Sequence, residues 1–162
     1  MDWDGWIPRE QILGEEARSK VPREFQTQFP IYANPPTLFL VVNKIYQKTL
    51  HDPESAAKYS SFLKQILPAL EKHFQWFQTT QNGIVPNSYR WRGRTVNHTL
   101  TSGLDDYPRA NPPSDNELHV DLLCWMTMMA KVLKDVSSVA NKDATKYQTK
   151  YENLLKELNS TR

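Results

Sequence analysis

The chain has 162 residues, of which 39% are hydrophobic and 11% aromatic, with 20 Lys and Arg against 18 Asp and Glu. This size and composition suit one globular domain. The formal net charge of +2 is too small to predict binding to nucleic acid or to an anionic membrane.

The cysteine and histidine content predicts neither a disulfide nor a metal site. Cys124 is the only cysteine, so no internal disulfide can form, and its apolar neighbours predict a small buried hydrophobe. The four histidines show no metal-site spacing. No apolar run reaches the roughly 20 residues of a membrane span, and the acidic start is unlike a signal peptide.

Residues 1–36 are predicted to be irregular because they contain several prolines and two glycines. A helix is predicted to begin near Thr37. Apolar side chains with helical spacing then predict one buried face. They are Leu38, Val41, Val42, Ile45 and Tyr46.

A second helical region is predicted over about 53–80, where Pro68 predicts a kink or a division into two shorter helices. Its apolar stripe comprises Phe62, Ile66, Leu67, Leu70, Phe74 and Phe77. Trp76 and Trp125 also lie on predicted helices, where such residues are typical of a core.

The sequence Ser114-Asp115-Asn116-Glu117 fits a capping box and predicts a helix from there to about Val139. Its apolar stripe comprises Leu118, Leu122, Trp125, Met126, Met129, Val132 and Leu133. A last amphipathic helix is predicted over about 144–158. Its inward side chains are Tyr147, Tyr151, Leu154, Leu155 and Leu158. No alternating strand pattern occurs, so the sequence predicts an all-α fold, as a hairpin array, a bundle or part of an α/α toroid.

Residues 81–113 form a long irregular segment, called here the site loop, which is uncommon in a compact domain unless it is functional. It contains Tyr89–Arg94 and Thr101–Arg109, with adjacent carboxylates at Asp105 and Asp106. Carboxylates, guanidinium groups and aromatic faces together suit a neutral, hydroxyl-rich ligand such as a sugar. Trp6 could stack on such a ligand or anchor the amino-terminal segment in the core.

Other interpretations of the site loop remain open. Asp105 and Asp106 follow Gly103 and could be turn residues, and Arg109 could form an ion pair. The aromatic and basic residues of 89–94 could stack on single-stranded bases. In the functional interpretation, an aspartic acid beside an aromatic ring has a raised pKa and donates a proton at neutral pH.

Several segments, in order along the chain, carry a family likeness. They are Asp4–Arg18, Ala33–Leu38, Tyr89–Arg94, Thr101–Arg109 and His119–Asp121 followed by Leu122 and Trp125. On these segments the chain resembles the catalytic region of the processing α-glucosidases of glycoside hydrolase family 63. Ser102–Asp105 is also loosely similar to a trehalase signature.

The resemblance implies an (α/α)6 toroid in the endoplasmic reticulum lumen. It implies an inverting hydrolase, without metal or organic cofactor, that removes the terminal α-1,2-linked glucose from an N-linked glycan. Asp105 would be the general acid. The implied glucose-pocket residues are Trp6, Arg9, Glu10, Tyr89, Arg90, Trp91, Arg92, Asp106 and Arg109.

Inversion requires a second carboxylate that activates water across a gap of roughly 6.5–9.5 Å. The family places this base on a Glu far downstream of the segment seen here, and Glu10, Glu15, Glu16 and Glu117 do not match it. The resemblance therefore implies a fragment of a catalytic domain that hydrolyses little by itself.

Two other functions remain open for such a chain. One is a non-catalytic helical module that binds glycans or partners. The other is a segment that packs with the rest of the toroid or self-associates, since an isolated part of a toroid exposes large apolar patches. The sequons at Asn97 and Asn159 matter only if the chain enters the secretory lumen.

Overall fold

The computed structural model describes residues 1–2, 4–9, 11–93, 100–104 and 113–160. The described part is all-helical and contains no strand, in agreement with the predicted class. The α-helices are α1 (Gly14–Lys20), α2 (Arg23–Gln26), α3 (Leu38–His51), α4 (Pro53–Thr80), α5 (Val120–Val139) and α6 (Thr145–Asn159). Helix α4 is central, because α3 and α5 pack against it, and α6 packs on α5.

Helix α4 is one continuous helix, so the predicted division at Pro68 is wrong. Its start is well defined, because the Asp52 carboxylate accepts hydrogen bonds from the backbone N–H of Glu54 and Ser55, each at 3.1 Å. Pro53 occupies the first turn, where its missing N–H costs nothing. Pro68 lies on the exposed face, where water can satisfy the carbonyl that it leaves without an intrahelical partner.

Helix α5 begins at Val120, so the predicted capping box at Ser114 is wrong. The backbone N–H of Glu117 donates to the Ser114 carbonyl at 3.3 Å, which makes a turn. The backbone N–H of His119 donates to the Tyr89 carbonyl at 2.8 Å. This long-range bond holds His119 in an extended conformation, and the helix starts only after it.

Helix α6 covers the predicted range within one residue at each end. Tyr147 and Leu154 are buried as predicted, but Leu155 is exposed. One residue rotates the helix by about 100°, which turns Leu155 away from α5. The Tyr147 hydroxyl donates to the Glu71 carboxylate at 2.8 Å, so a polar bond also ties α6 to α4.

The predicted buried face of α3 is confirmed only in part, since Val42, Ile45 and Tyr46 pack in or against the core but Leu38 and Val41 do not. Phe39 and Val42 are buried, whereas Leu38 and Val41 are 56% and 53% exposed. Their stripe lies beside a second exposed stripe on α4, where Phe62 is exposed rather than in the predicted core. Together these side chains line an apolar groove of about 260 Å³. The residues of the apolar groove are Leu38, Val41, Ile45, Phe62, Ile66 and Ala69.

The core is built on aromatic rings around α4. Phe77 contacts Trp76 edge-on at 4.9 Å and Trp91 at 6.3 Å between ring centroids. Trp76 and Met126 are buried as predicted. Cys124 is exposed, contrary to the prediction, because it lies about 200° around α5 from buried Leu122.

Helices α1 and α2 interrupt the amino-terminal segment that the prolines predicted to be irregular. Helix α1 has Glu15 and Glu16 in its first turn and Lys20 in its last, which complements the helix dipole. Lys20 also pairs with Glu16 at 2.6 Å one turn earlier. These local charges support a helix that buries no residue of its own.

Within the described ranges, no helix has the length and apolar character that crossing a membrane requires.

Candidate functional site

The predicted site residues divide into two sets. Asp105, Asp106, Arg109 and Glu10 lie outside the described residues, so their roles stay predictions. Trp6, Arg9, Tyr89, Arg90, Trp91 and Arg92 are described. The structure brings these into two neighbouring regions, the amino-terminal segment and the start of the site loop.

The amino-terminal segment lies directly against α4. Gly5 has a φ of 98°, and a Cβ atom there would lie 2.3 Å from the Lys72 carbonyl oxygen. Its own carbonyl accepts a hydrogen bond from His73 Nδ1 at 2.8 Å. Since a carbonyl can only accept, Nδ1 carries the proton. Burial lowers the pKa of His73 below its usual value, so the ring is neutral at pH 7.

Trp6 is held by its indole nitrogen, which donates to the Tyr32 carbonyl at 2.9 Å. Its backbone N–H donates to the Asp4 carboxylate at 2.9 Å. The ring packs at the edge of the core and stays partly exposed. One face can therefore anchor the segment while the rest meets a ligand.

Arg9 is exposed and lines a cavity of about 420 Å³. The Asn34 amide closes one side by donating to the Ile7 carbonyl at 3.1 Å. This Arg9 cavity is lined by Ile7, Pro8, Arg9, Asn34, Pro35, Pro36, Thr37, Leu38 and His73. It offers guanidinium, amide and hydroxyl donors beside apolar proline surface, which suits a neutral polyhydroxylated ligand.

The described end of the site loop reaches the Arg9 cavity. A Cβ atom on Gly103 would lie 3.4 Å from the Pro35 ring, and Pro35 lines the cavity. Ser102 Oγ accepts from the backbone N–H of Leu104 at 3.1 Å. Leu104 is the last described residue before Asp105 in the sequence. The loop that carries the predicted acid therefore comes up to the cavity rim.

Residues Tyr89–Gly93, called the strap below, cross from the end of α4 to the start of α5. The Arg90 side chain is only 2% exposed. Its Nε donates to the Ser114 carbonyl at 2.8 Å, and Nη1 donates to the Trp91 carbonyl at 3.1 Å. Nη1 also lies 3.7 Å from the exposed Asp115 carboxylate. These contacts tie the two ends of the site loop together.

Arg92 binds the carboxyl end of α4. Its Nη1 donates to the Thr80 carbonyl at 3.1 Å and to the Arg90 carbonyl at 3.3 Å. A cation at a helix carboxyl terminus is favourable because the unpaired carbonyls are negative. Burial lowers the pKa of Arg92 below its usual value, although a guanidinium stays charged at neutral pH.

Trp91 is fully buried and both of its N–H groups are satisfied. The indole Nε1 donates to the Asp121 carboxylate at 2.8 Å, and the backbone N–H donates to His119 Nδ1 at 3.0 Å. Nδ1 of His119 is therefore an acceptor, and the ring proton lies on Nε2, 3.7 Å from the Glu117 carboxylate. The family segment His119–Asp121 thus holds the strap in this structure.

Tyr89 is 3% exposed, beneath the ammonium group of Lys150, which lies 6.0 Å from the ring centroid. Burial raises the pKa of Tyr89 to about 12. The hydroxyl therefore stays protonated and can donate a hydrogen bond at neutral pH. Tyr89, Arg90 and Trp91 lie inward in this structure, so their contact with a sugar stays a prediction.

Asn34, His73 and Gln81 were not among the predicted site residues. Asn34 falls within the segment Ala33–Leu38 that carries the family likeness, and Gln81 is the first residue of the predicted site loop. Only these positions in the chain could have indicated them. Among the described residues, no cluster of three His, Cys, Asp or Glu side chains could hold a metal ion.

Comparison with known proteins places these features in a family. The glycosyl hydrolase family 63 C-terminal domain matches residues 1–162. The chain is 45% identical to a probable mannosyl-oligosaccharide glucosidase of Schizosaccharomyces pombe, over 83% of this chain and 21% of that protein. It is 43% identical to a mannosyl-oligosaccharide glucosidase of Arabidopsis thaliana, over 97% of this chain and 20% of that protein.

A mannosyl-oligosaccharide glucosidase of Saccharomyces cerevisiae is 37% identical, over 85% of this chain and 22% of that protein. The chain therefore spans about a fifth of the length of the curated relatives it matches. The match covers the amino-terminal segment, the site loop and all described helices. The chain belongs to glycosyl hydrolase family 63, within that family's C-terminal domain.

Proposed function

We propose that this chain supplies the general acid and one wall of the glucose site of an inverting α-glucosidase. The substrate is an N-linked glycan precursor that ends in an α-1,2-linked glucose. The relatives named mannosyl-oligosaccharide glucosidase support this substrate class. The remaining helices of an (α/α)6 toroid would complete the domain.

The observation that carries the proposal is the meeting of the Arg9 cavity with the site loop. Gly103 lies against Pro35 at the cavity rim, and Asp105 follows Leu104 in the sequence. The cavity is small and lined by hydrogen-bond donors and apolar surface. Those are the properties that a terminal glucose residue needs from its binding site.

The proposed chemistry divides between two carboxyl groups. Asp105 protonates the glycosidic oxygen as the bond to the anomeric carbon breaks, and a second carboxylate takes a proton from the attacking water. The described residues that line the Arg9 cavity include no carboxylate. The chain spans about a fifth of the length of its curated relatives, and we place the base on a part of the domain outside these 162 residues.

A second function is a non-catalytic glycan-binding module, which the polar and apolar surface of the Arg9 cavity favours. Such a surface can bind a glucose-terminated glycan without cleaving it. Binding without release of glucose would distinguish this glycan-binding module from a complete hydrolase.

We also propose that the apolar groove is a contact surface. Leu38, Val41 and Phe62 are each more than 40% exposed, and such surface is costly to leave in water. The rest of the catalytic domain would cover the groove, and in its absence two copies of the chain would associate there. Residence in the endoplasmic reticulum lumen is part of the same proposal, and the exposed Asn159 sequon is compatible with it.

Glucose release from an α-1,2-linked glucosyl disaccharide tests whether the general acid lies in this chain and the base lies outside it. The chain is compared with Asp105→Asn and with Asp115→Asn, whose exposed carboxylate serves as a matched control. We expect no release above background from any of the three. Release that Asp105→Asn abolishes would contradict the absence of a base, and release that it leaves unchanged would contradict Asp105 as the acid.

A further inference from the structure

Gln81 is a fully buried polar residue at the end of α4, and its side chain touches segments from three parts of the chain. Its Oε1 accepts from the backbone N–H of Arg92 at 2.7 Å. Its Nε2 donates to the Ile31 carbonyl at 3.0 Å and to the Thr80 hydroxyl at 3.2 Å. All the hydrogen-bonding capacity of the amide nitrogen, and one lone pair of the oxygen, is therefore used.

The orientation of this amide is fixed by its partners. The N–H of Arg92 can only donate and the carbonyl of Ile31 can only accept. The site therefore needs an acceptor on one side of the side chain and a donor on the other. A carboxylate would put an oxygen against the Ile31 carbonyl, and an apolar side chain would leave both backbone groups unsatisfied.

The main chain of Gln81 adds to the same junction. Its carbonyl accepts from the backbone N–H of Arg90 at 2.9 Å, and its own N–H donates to the Phe77 carbonyl. The Arg92 carbonyl in turn accepts from the backbone N–H of Ala33 at 3.2 Å. The strap is thus bound to Gln81 at two points and to residues 31–34 at a third.

Residues 31–34 are also the support for the amino-terminal side of the site. The Tyr32 carbonyl holds the Trp6 indole, and the Asn34 amide holds the Ile7 carbonyl. The Trp76 indole fixes the Pro30 carbonyl at 2.8 Å. A displacement of residues 31–34 would therefore move Trp6 and the wall of the Arg9 cavity.

We propose that Gln81 is a positioning residue that couples the strap to residues 31–34 and so fixes the shape of the Arg9 cavity. It does not contact the sugar itself. Its contribution to sugar binding rests on the proposed function, whereas the coupling of the two segments does not depend on it.

Backbone hydrogen exchange by NMR tests the coupling in the whole chain. In Gln81→Met, we expect the amides of Arg92 and Ala33 to exchange at least about tenfold faster relative to those of α3. In Gln81→Glu, the acceptor for Arg92 remains, so Ala33 should be affected more than Arg92. The control is Leu154→Ala, which creates a cavity between α5 and α6. If the exchange of the Ala33 and Arg92 amides accelerates no more in Gln81→Met than in Leu154→Ala, the coupling is overturned.

Sugar affinity gives the second readout. We expect the dissociation constant for the α-1,2-linked disaccharide to rise at least about tenfold in Gln81→Met and to change less than about threefold in Leu154→Ala. Equal weakening in both variants would overturn the role of Gln81 in shaping the site. If the unmodified chain binds no sugar, the proposed function fails, and hydrogen exchange still decides whether Gln81 couples the segments.

Discussion

At the scale of single residues, the strap depends on side chains that satisfy buried N–H groups. Asp121 accepts from the Trp91 indole at 2.8 Å. We expect Asp121→Ala to lower the free energy of unfolding by about 1–3 kcal/mol, because it leaves this N–H without a partner. Asp121→Asn keeps an acceptor oxygen and should cost less. Urea denaturation measures both.

The control for this prediction is Asp115→Ala. The side chain of Asp115 is 71% exposed and its carboxylate lies 3.7 Å from the buried Arg90 guanidinium, and we expect so exposed a partner to contribute about 0–1 kcal/mol. If Asp121→Ala costs no more than Asp115→Ala, the indole bond does not stabilise the strap.

Tyr89 makes the stability of the chain depend on pH in the alkaline range. Burial raises its pKa from 10.0 to about 12, so the folded state keeps a proton that the unfolded state loses. The resulting stabilisation is fully present below pH 10 and disappears as the pH rises through 12. It amounts to roughly 2–3 kcal/mol.

Comparison with Tyr89→Phe isolates this contribution. We expect the free energy of unfolding of the unmodified chain to fall relative to that of the variant between pH 10 and pH 12. A difference between the two proteins that stays constant over this range would contradict the buried, protonated hydroxyl.

At the scale of elements, the contact between the amino-terminal segment and α4 requires glycine at position 5. Gly5 and Gly14 both have positive φ, at 98° and 81°. A Cβ on Gly5 would collide with the Lys72 carbonyl, whereas a Cβ on Gly14 meets nothing within 4 Å. We expect Gly14→Ala to cost about 1 kcal/mol from backbone strain alone and Gly5→Ala to cost clearly more.

Comparison of Gly5→Ala with Gly14→Ala separates the cost of backbone strain from the cost of the close contact with α4. Thermal or urea unfolding gives the two costs, and the NMR signal of the His73 ring reports whether its bond to the Gly5 carbonyl survives. Equal costs for the two variants would show that the segment is not held against α4 as described.

Prediction from sequence succeeded at this scale where local periodicity decides the outcome. Leu122, Met126, Met129 and Leu133 recur at helical spacing and are all buried. It failed where a contact with a distant residue determines where a helix begins. The bond from His119 to the Tyr89 carbonyl displaces the start of α5, and no local pattern near Ser114 could indicate that bond.

The candidate site likewise combines features that the sequence indicated with features that it did not indicate. The likeness at Trp6, Arg9 and Tyr89–Arg92 indicated the segments that the structure brings together. It did not indicate that Arg90 and Arg92 bind main-chain carbonyls. Gln81 was missed because its partners are 50 residues away at Ile31 and 11 away at Arg92.

At the scale of the whole molecule, the apolar groove predicts concentration-dependent association. We expect Val41→Lys with Phe62→Lys to shift the chain towards monomer in sedimentation velocity, because the charges oppose burial of the groove. Leu50→Lys is the control, since Leu50 is 55% exposed and lies about 180° around α3 from Val41. Equal association in both variants would exclude the groove as the contact surface.

The proposed function depends on a glucose-binding wall at the Arg9 cavity. Saturation-transfer NMR with an α-1,2-linked glucosyl disaccharide detects such a wall when the chain is compared with Arg9→Ala. We predict saturable transfer to the protons of the terminal glucose. We also predict a dissociation constant at least about tenfold higher for Arg9→Ala. No transfer, or the same dissociation constant for both proteins, would exclude the Arg9 cavity as the glucose site of this chain.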